Sequence, residues 1–265
     1  MKVGFIGAGN MGGAILKGLA GKKYDLSVYD IDPAKASAAA EAGAVICGSI
    51  GQLVEKSDVI ILGVKPDTCK DVLPAVAEAF DHKKILTSIA AGVSISYIEK
   101  YLGAESKVLR AMLNTPGMVG EAMTSLSPGR NVLDKDIGQM EAVFGSIGKV
   151  CVVPEELIHC VIGVSGSSPA YTYMFIDALA KAAVKNGMDE EQGVFFAAQA
   201  VYGAAKMVME TGVDPVTLRE NVCSPGGATI EAVKKLQEDG FAQTVARGFQ
   251  AAFEKSKDMA DKYDF

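Results

Sequence analysis

A glycine-rich turn between a predicted strand and a predicted helix is the feature that most constrains how this chain folds. Lys2–Ile6 predicts a strand, Gly7-Ala8-Gly9-Asn10-Met11-Gly12 follows as a GxGxxG motif, and Met11–Leu19 predicts a helix. Within a βαβ unit this arrangement is typical of a dinucleotide-binding site. The first two glycines let the backbone turn tightly and approach a pyrophosphate, and the third lets the helix pack closely on the strand. A glycine turn without a ligand is the alternative.

Short apolar runs alternate with helical segments through the first half of the chain. Val59–Val64 is apolar throughout, as expected for a strand that is buried on both faces. This alternation predicts a doubly wound, Rossmann-type parallel sheet with crossover helices. Further strands are predicted at Leu26–Tyr29, Val45–Ile46, Lys84–Ser88 and Lys107–Ala111, with helices at Pro33–Ala42, Ile50–Lys56, Asp67–Phe80 and Ser94–Tyr101.

From about Pro154 onward the chain contains no convincing strand, and VCVVPEE near Val153 leaves the last one, so the sequence predicts two domains, 1–153 and 154–265, the second all-helical. The helix predicted at Asp189–Glu210 contains VFFAAQAVYGAAKMVM, which is apolar on nearly every face and must be surrounded. Burial against a second subunit, as in a homodimer, is favoured over burial within one chain. Other helices are predicted at Pro169–Asn186, Pro215–Asn221, Thr229–Glu238 and Gln243–Tyr263.

Composition excludes several classes of function. Lys and Arg number 26 against 32 Asp and Glu, and this net charge of −6 is wrong for a non-specific nucleic-acid binder. His82 and His159 are the two histidines, so a multi-histidine metal site is nearly excluded and no metal is expected. Five cysteines without a CxxC pair predict reduced thiols in a cytoplasmic protein. No apolar run is long enough to predict a membrane span or a membrane partner.

An acidic residue ends the second predicted strand and bears on the choice of cofactor. A carboxylate at Asp30 can accept hydrogen bonds from the adenine-ribose hydroxyls and repels a 2′-phosphate. No arginine follows it, because the next residues are Ile31, Asp32 and Pro33. Among the two nicotinamide cofactors this favours NADH over NADPH. Alternatively, Asp30 or Asp32 simply caps the helix that begins at Pro33.

Two further segments follow predicted strands at the edge where open α/β sheets bind ligands. Gly63-Val64-Lys65-Pro66 ends the apolar strand, and Ala90-Ala91-Gly92 follows the next one. Their small residues would let the nicotinamide half of a cofactor lie close to the backbone. A solvated charge is an equally good interpretation of Lys65, and an ordinary turn is the alternative for Ala90–Gly92.

A second glycine-rich segment lies in the helical half, at the start of a predicted helix. It runs Gly226-Gly227-Ala228-Thr229 within ENVCSPGGATIEAV, residues 220–233. Free N–H groups at such a helix start form an anion site suited to a carboxylate. Capping of the helix by Ser224 or Thr229 is the alternative.

These segments together resemble the pyrroline-5-carboxylate reductase family over nearly the whole chain. The matching motifs occur in family order, and NVCSPGGATIEAV is the most specific of them. They are GFIGAGNMG, GVKP, AAGVSI, NTP at Asn114–Pro116, SGSSPAY at Ser165–Tyr171, GAAKM and NVCSPGGATIEAV. The resemblance implies an N-terminal Rossmann domain, a C-terminal all-helical dimerisation domain, and often a larger ring of dimers. The chain departs from the usual family residues at Leu113, Ser168 and Cys223.

The resemblance also implies an activity and its contact residues. The family reduces 1-pyrroline-5-carboxylate to L-proline with NADPH or NADH. Its cofactor contacts fall on Ile6 to Met11, Gly63 to Pro66, Ala90 to Gly92, and Asn221. Its substrate contacts fall on Glu155, Ala228 and Thr229, beside Gly227 of the predicted anion site.

The chemistry expected of such a site needs little from side chains. A cyclic imine protonates readily near neutral pH and then accepts hydride, so a hydroxyl that orients the ring nitrogen would suffice. Thr229 is the predicted catalytic hydroxyl, with an N-cap role as its alternative.

Two other functions remain open on sequence alone. A 3-hydroxyacid dehydrogenase of similar layout would carry a catalytic lysine early in its helical domain, but Gly163–Phe175 contains no lysine. A non-catalytic NAD-binding dimeric regulator would have no need of the second, carboxylate-binding segment.

Overall fold

The computed structural model describes residues 1–263, which form an α/β structure. The backbone divides into two compact units. The first combines Met1–Ser167 with the residues from Ala251 onward, and the second is Ser168–Gln250. Among the described residues, no helix has both the length and the apolar character needed to cross a membrane.

The described part of the first unit contains one eight-stranded sheet with the order β3-β2-β1-β4-β5-β6-β7-β8. Neighbouring strands from β3 to β6 are parallel, whereas β7 runs antiparallel to β6 and β8 runs parallel to β7. The parallel sheet predicted from the sequence is confirmed. The sequence did not predict the reversed β7. The strands are β1 (Lys2–Ile6), β2 (Asp25–Tyr29), β3 (Val45–Ile46), β4 (Val59–Leu62), β5 (Ile85–Ser88), β6 (Lys107–Met112), β7 (Ala122–Pro128) and β8 (Gly148–Val152).

Helices cover both faces of this sheet, as a doubly wound fold requires. Val59 and Ile61 of β4 belong to one apolar cluster, and Ile60 and Leu62 belong to another. Since alternate residues of a strand face opposite sides, β4 is buried on both. The helices are α1 (Asn10–Leu19), α2 (Pro33–Glu41), α3 (Ile50–Lys56), α4 (Cys69–Ala79), α5 (Ile95–Leu102), α6 (Asp134–Phe144) and α7 (Ile158–Val161).

The second unit is helical, as expected from the sequence. Its longest helices pack closely because small residues meet, and a Cβ on Gly193 would lie 3.2 Å from the Ala180 carbonyl oxygen. The remaining helices are α8 (Ser168–Lys185), α9 (Glu190–Thr211), α10 (Pro215–Asn221), α11 (Ala228–Glu238) and α12 (Phe241–Ala260). Residues of α12 up to Gln250 belong to the second unit and those from Ala251 to the first.

The border between the compact units differs from the domain border at 153/154 expected from the sequence. Residues 154–167 group with the sheet because they are hydrogen-bonded to it and to the end of α12. The Asn114 side chain donates to the Ser165 carbonyl oxygen at 3.0 Å, and His159 Nδ1 lies 2.8 Å from Ser256 Oγ. These contacts make residues 154–167 part of the first compact unit.

Candidate active site

A tight glycine turn lies where β1 and β4 are neighbours, the point at which strand order reverses and open sheets bind ligands. Gly7 has φ of +93°, and a Cβ on it would lie 2.8 Å from the Gly63 carbonyl oxygen. A Cβ on Gly12 would lie 2.5 Å from the Gly7 carbonyl oxygen. Both distances are shorter than side chains tolerate. The first and third glycines of the motif therefore shape the turn and the approach of α1 to it.

The second glycine of the motif leaves room for a ligand. A Cβ on Gly9 would meet no atom within 4 Å, so its face is open. Gly9 is also the N-cap of α1, and no side chain caps that helix start among the described residues. The N–H groups of the first turn and the helix dipole are therefore available to a pyrophosphate. These residues fit a dinucleotide, because no side chain blocks its pyrophosphate from approaching the backbone at Gly9.

Asp30 is bound to the same turn. The Ala8 N–H donates to Asp30 Oδ2 at 2.7 Å, and the Asp32 N–H donates to Asp30 Oδ1 at 2.8 Å. The helix α2 is capped instead by Asp32, whose side chain accepts from the Ala34 N–H at 3.0 Å. An ionised carboxylate has about four acceptor positions, so Asp30 retains capacity for further donors.

The two other predicted cofactor segments lie at the ends of β4 and β5. The Gly63 N–H donates to the Ile6 carbonyl oxygen at 2.8 Å, which holds this segment beside the glycine turn. Ala90 is buried, and Gly92 has φ of +82°. Lys65 is exposed, and its ammonium group has no hydrogen-bond or ion-pair partner within residues 1–263, so both interpretations of it stay open.

Glu155 forms an ion pair with a buried arginine. Arg110 of β6 has a side chain that is 5% exposed, and its Nη1 lies 3.0 Å from Glu155 Oε1. The same carboxylate oxygen accepts from the Ile95 N–H at 3.0 Å, at the start of α5. This arrangement links the segment after β8, the central part of β6 and the helix that follows Ala90–Gly92. Glu155 therefore stabilises the local structure whether or not it also contacts a substrate.

The second glycine-rich segment opens α11. Gly226 has φ of +72°, and the Gly227 N–H donates to the Ser224 carbonyl oxygen at 3.0 Å. Gly227 is the N-cap, and within the described residues no side chain makes a capping hydrogen bond to α11. The capping alternative for Ser224 or Thr229 is therefore not observed. The exposed N–H groups of Ala228 and Thr229 and the helix dipole form a site suited to a carboxylate.

Comparison with known proteins gives one consistent family. A model described as pyrroline-5-carboxylate reductase dimerisation matches residues 155–259, and one described as NADP oxidoreductase coenzyme F420-dependent matches residues 2–92. The chain is 43% identical to pyrroline-5-carboxylate reductase of Escherichia coli K12, with 98% of each protein covered.

Solved structures agree with the sequence comparison. The pyrroline-5-carboxylate reductase of Coxiella burnetii is 32% identical with a TM-score of 0.92, covering 97% of this chain and 98% of that one. The NADP-bound enzyme of Plasmodium falciparum is 31% identical with a TM-score of 0.86, covering 98% of both chains. This chain belongs to the pyrroline-5-carboxylate reductase family. The resemblance inferred from its motifs is confirmed, and a nicotinamide cofactor and a helical dimerisation domain follow from membership.

In this family member the predicted contact residues divide between the two compact units. The first unit brings together the turn, Asp30 and the two strand-end segments around the β1–β4 switch point. The first unit carries Ile6–Gly12, Asp30, Gly63–Pro66, Ala90–Gly92 and Glu155, and the second carries Asn221, Gly227, Ala228 and Thr229. Their roles as contacts remain predictions.

Two polar residues of the first unit were not assigned a role from the sequence. Arg110 interrupts the apolar residues that follow Lys107 in β6, a pattern that could have signalled a buried charge with a partner. Asn114 donates to the Ser165 carbonyl oxygen and accepts from the Met123 N–H at 2.9 Å, so it joins two of the family motifs. No local pattern could have located the partners, which lie 45 and 51 residues away.

Proposed function

We propose that this protein reduces 1-pyrroline-5-carboxylate to L-proline. The observation that carries the proposal is its similarity, over 98% of its length, to a curated pyrroline-5-carboxylate reductase. Its substrate would bring both a carboxylate for the helix start and an imine for reduction. The imine carbon accepts a hydride, which a bound reduced nicotinamide supplies, while the π electron pair moves to the ring nitrogen.

The chain's own residues bind and orient the reactants. Ala228 and Thr229 hold the carboxylate through backbone N–H groups. A Cβ on Gly227 would lie 2.6 Å from Ser224 Oγ, so the turn that presents these groups needs a glycine there. The Thr229 hydroxyl orients the protonated ring nitrogen and exchanges its proton with water. Because the substrate supplies a basic nitrogen, no strong side-chain acid is needed. The main contribution of the protein is therefore to fix the imine carbon against the hydride donor.

The activity test is direct. Addition of 1-pyrroline-5-carboxylate to the protein and NADH or NADPH should lower the absorbance at about 340 nm and produce L-proline. Thr229→Ala should lower kcat about tenfold, roughly the contribution of one hydrogen bond, and Thr229→Ser should restore it. Thr244→Ala on α12 is the matched control. No cofactor oxidation with either dinucleotide would remove the reductase proposal, and a wild-type rate for Thr229→Ala would remove Thr229 from the mechanism.

We further infer that NADH is the preferred cofactor. Both Asp30 oxygens already hold backbone N–H groups and keep lone pairs for the ribose hydroxyls, whereas a 2′-phosphate would meet their negative charge. Lys35 is the first cationic residue after β2, and its Nζ lies 3.4 Å from Asp32 Oδ2. The negative charge of Asp32 offsets the attraction of Lys35 for a phosphate.

Substitution of Asp30 separates its two roles. Asp30→Ser removes both acceptors of the turn, so binding of both cofactors should weaken, whereas Asp30→Asn keeps one acceptor. In either variant kcat/KM for NADPH relative to NADH should rise, because the charge that opposes a 2′-phosphate is gone. A strong NADPH preference in the wild type would show that Asp30 does not select the cofactor.

We propose that two chains associate through the helical unit to form a homodimer, which either acts alone or assembles with further dimers into a ring. In the single chain, Gly193 and Ala197 are the buried residues of α9, while Phe195 and Phe196 are 67% and 62% exposed. An apolar surface of this extent favours burial in a subunit interface. Sedimentation equilibrium should give twice the monomer mass or a multiple of it, and a monomer would contradict the proposal. Cytoplasmic location stays a prediction.

The dehydrogenase and regulator alternatives are not favoured. The stretch Gly163–Phe175 forms a π-helical turn and the start of α8 without a lysine, so a catalytic lysine of the 3-hydroxyacid type is missing there. The uncapped start of α11 supports a second ligand site, which a pure dinucleotide sensor would not need.

A further inference from the structure

Tyr263, which follows α12, contacts the two loops that carry proposed cofactor segments. Its hydroxyl donates to Asp67 Oδ1 at 2.7 Å, and Asp67 directly follows the Gly63–Pro66 segment. Its ring atoms Cδ2 and Cε2 lie 3.4 Å from the position that a Cβ on Gly92 would occupy. One aromatic side chain therefore contacts the loop after β4 and the loop after β5.

The ring of Tyr263 is itself held in place. Its backbone N–H donates to the Ala260 carbonyl oxygen at 2.8 Å, so it continues the turn at the end of α12. Tyr97 of α5 packs against it edge to face, with ring centroids 6.4 Å apart. The Met259 carbonyl oxygen lies beside Gly92 as well, so the loop after β5 is covered by backbone and side chain together. The contact is thus an ordered junction rather than a single hydrogen bond.

The hydroxyl of Tyr263 remains a donor at physiological pH. The hydrogen bond to Asp67, followed by partial burial, raises the pKa of Tyr263 above its usual value. The hydroxyl hydrogen is therefore available to Asp67 at neutral pH.

We propose that Tyr263 is a positioning residue that ties the loop after β4 to the loop after β5 and so presets the nicotinamide side of the cofactor site. The proposal rests on the proposed function, since those loops are predicted rather than demonstrated cofactor contacts. Each loop begins at the end of a strand and leads into a helix, and neither Asp67 nor Gly92 belongs to a strand. Without Tyr263 the two loops would move independently, and cofactor binding would have to order them.

The alternative is that Tyr263 only secures the end of α12. In that case its loss would lower stability without changing the loops or the affinity for a cofactor. The two interpretations make different predictions for a variant that keeps the ring but lacks the hydroxyl, because the ring contributes most of the packing and the hydroxyl contributes the tie to Asp67.

Tyr263→Phe and Tyr263→Ala therefore form the test, with Tyr101→Phe as the matched control. Tyr101 offers a hydroxyl in the same region, but it lies 3.3 Å from the Tyr97 hydroxyl and is not the hydroxyl that donates to Asp67. Hydrogen–deuterium exchange of residues 63–68 and 89–93 in the cofactor-free protein gives the first readout. NADH and NADPH dissociation constants, measured by fluorescence, give the second.

Tyr263→Phe should speed exchange in both loops and raise the dissociation constant of the preferred cofactor about five- to tenfold, as expected for one lost hydrogen bond. Tyr263→Ala should do both more strongly, while KM for 1-pyrroline-5-carboxylate changes little. Asp67→Asn, which keeps an acceptor oxygen, should fall between wild type and Tyr263→Phe.

Unchanged loop exchange in Tyr263→Phe would overturn the proposal, as would faster exchange confined to α12 with unchanged cofactor affinity. The exchange readout needs no cofactor, so it tests the loop tie even if the proposed reaction fails. Failure of the proposed function would instead appear in the wild type, as no cofactor oxidation with 1-pyrroline-5-carboxylate. The two failures are therefore distinguishable.

Discussion

Removal of the Glu155 charge should destabilise the first compact unit strongly. Arg110 is buried and Glu155 Oε1 is 3.0 Å away, with no second carboxylate paired to Arg110 among the described residues. Glu155→Gln keeps an oxygen for the Ile95 N–H but leaves the guanidinium buried without a counter-charge. Breaking a buried pair in this way costs about 3–5 kcal/mol. At about 2 °C per kcal/mol for a chain of this size, Tm should fall by about 6–10 °C.

Removal of the arginine charge by Arg110→Met should lower the free energy of unfolding less than Glu155→Gln does. Glu155 is 27% exposed against 5% for Arg110, so a carboxylate left alone by Arg110→Met can be hydrated and keeps its Ile95 hydrogen bond. The double variant should recover much of the loss, because it leaves no unpaired buried charge. Denaturation at one fixed protein concentration keeps the contribution of subunit association the same for all variants, so that their differences can be compared. Lys235→Met, in an exposed pair 2.9 Å long, should cost less than about 1 kcal/mol.

Two results would refute this reasoning. A Glu155→Gln protein within about 1 kcal/mol of wild type would mean that Arg110 is not effectively desolvated. Additive losses in the double variant would mean that the two charges are not coupled. Steady-state kinetics at temperatures below unfolding then distinguish a substrate contact of Glu155 from its structural role. Both single variants break the ion pair, but only Glu155→Gln removes the carboxylate. A rise in KM for 1-pyrroline-5-carboxylate that Arg110→Met does not share would assign that contact to Glu155.

Three further predictions follow from local geometry and charge. Gly12→Ala should lower the free energy of unfolding by about 1–3 kcal/mol through its clash with Gly7, whereas Gly13→Ala, 3.5 Å from its nearest neighbour, should be neutral or stabilising. Burial raises the pKa of Asp136, but its hydrogen bond and ion pair with Lys107 at 2.8 Å outweigh this and lower it below 3.8. Stability should therefore fall as pH drops below about 4, and Asp136→Asn should flatten that fall in acid denaturation. Burial, then the charges of Arg110 and Lys257, hold the pKa of His159 below 6.5, so stability should decline as pH falls below 6.5 and His159→Gln should lose that slope.

The predictable part of the fold is the part whose apolar pattern is uninterrupted. The four apolar residues Val59–Leu62 predict a buried strand. The helix Pro215–Asn221 follows an Asp and begins with a Pro, which is the expected pattern for a helix start. The sequence does not predict the strand Ala122–Pro128 because two of its fully buried residues, Thr124 and Ser127, are polar, whereas the core-facing residues of a strand are expected to be apolar. No prediction covers the helix Asp134–Phe144, although its apolar residues Ile137, Met140 and Phe144 recur at helical spacing.

The candidate site divides along similar lines. A glycine turn and an uncapped helix start are local, so GAGNMG and SPGGAT located them without knowledge of the fold. Contacts across large sequence separations could not be predicted, because nothing near Tyr263 in the sequence indicates that Asp67, 196 residues earlier, is its partner. The pairing of Arg110 with Glu155 is of the same kind. Local sequence patterns therefore identify the backbone segments proposed to bind ligands. The side-chain contacts that hold these segments in place can be identified only from the tertiary structure.

The scarcity of titratable groups in the candidate site has a consequence for catalysis. Its predicted titratable contacts are Asp30, Lys65 and Glu155, whereas the groups proposed to hold the substrate at α11 are backbone N–H groups and the Thr229 hydroxyl. Neither histidine is among them: His159 lies 2.8 Å from Ser256 Oγ, and His82 belongs to the loop between α4 and β5. Backbone groups at helix starts do not titrate, so the protonation that matters most is that of the imine. The pH dependence of kcat/KM should therefore follow the substrate nitrogen and change little in His159→Gln, even where that variant alters stability.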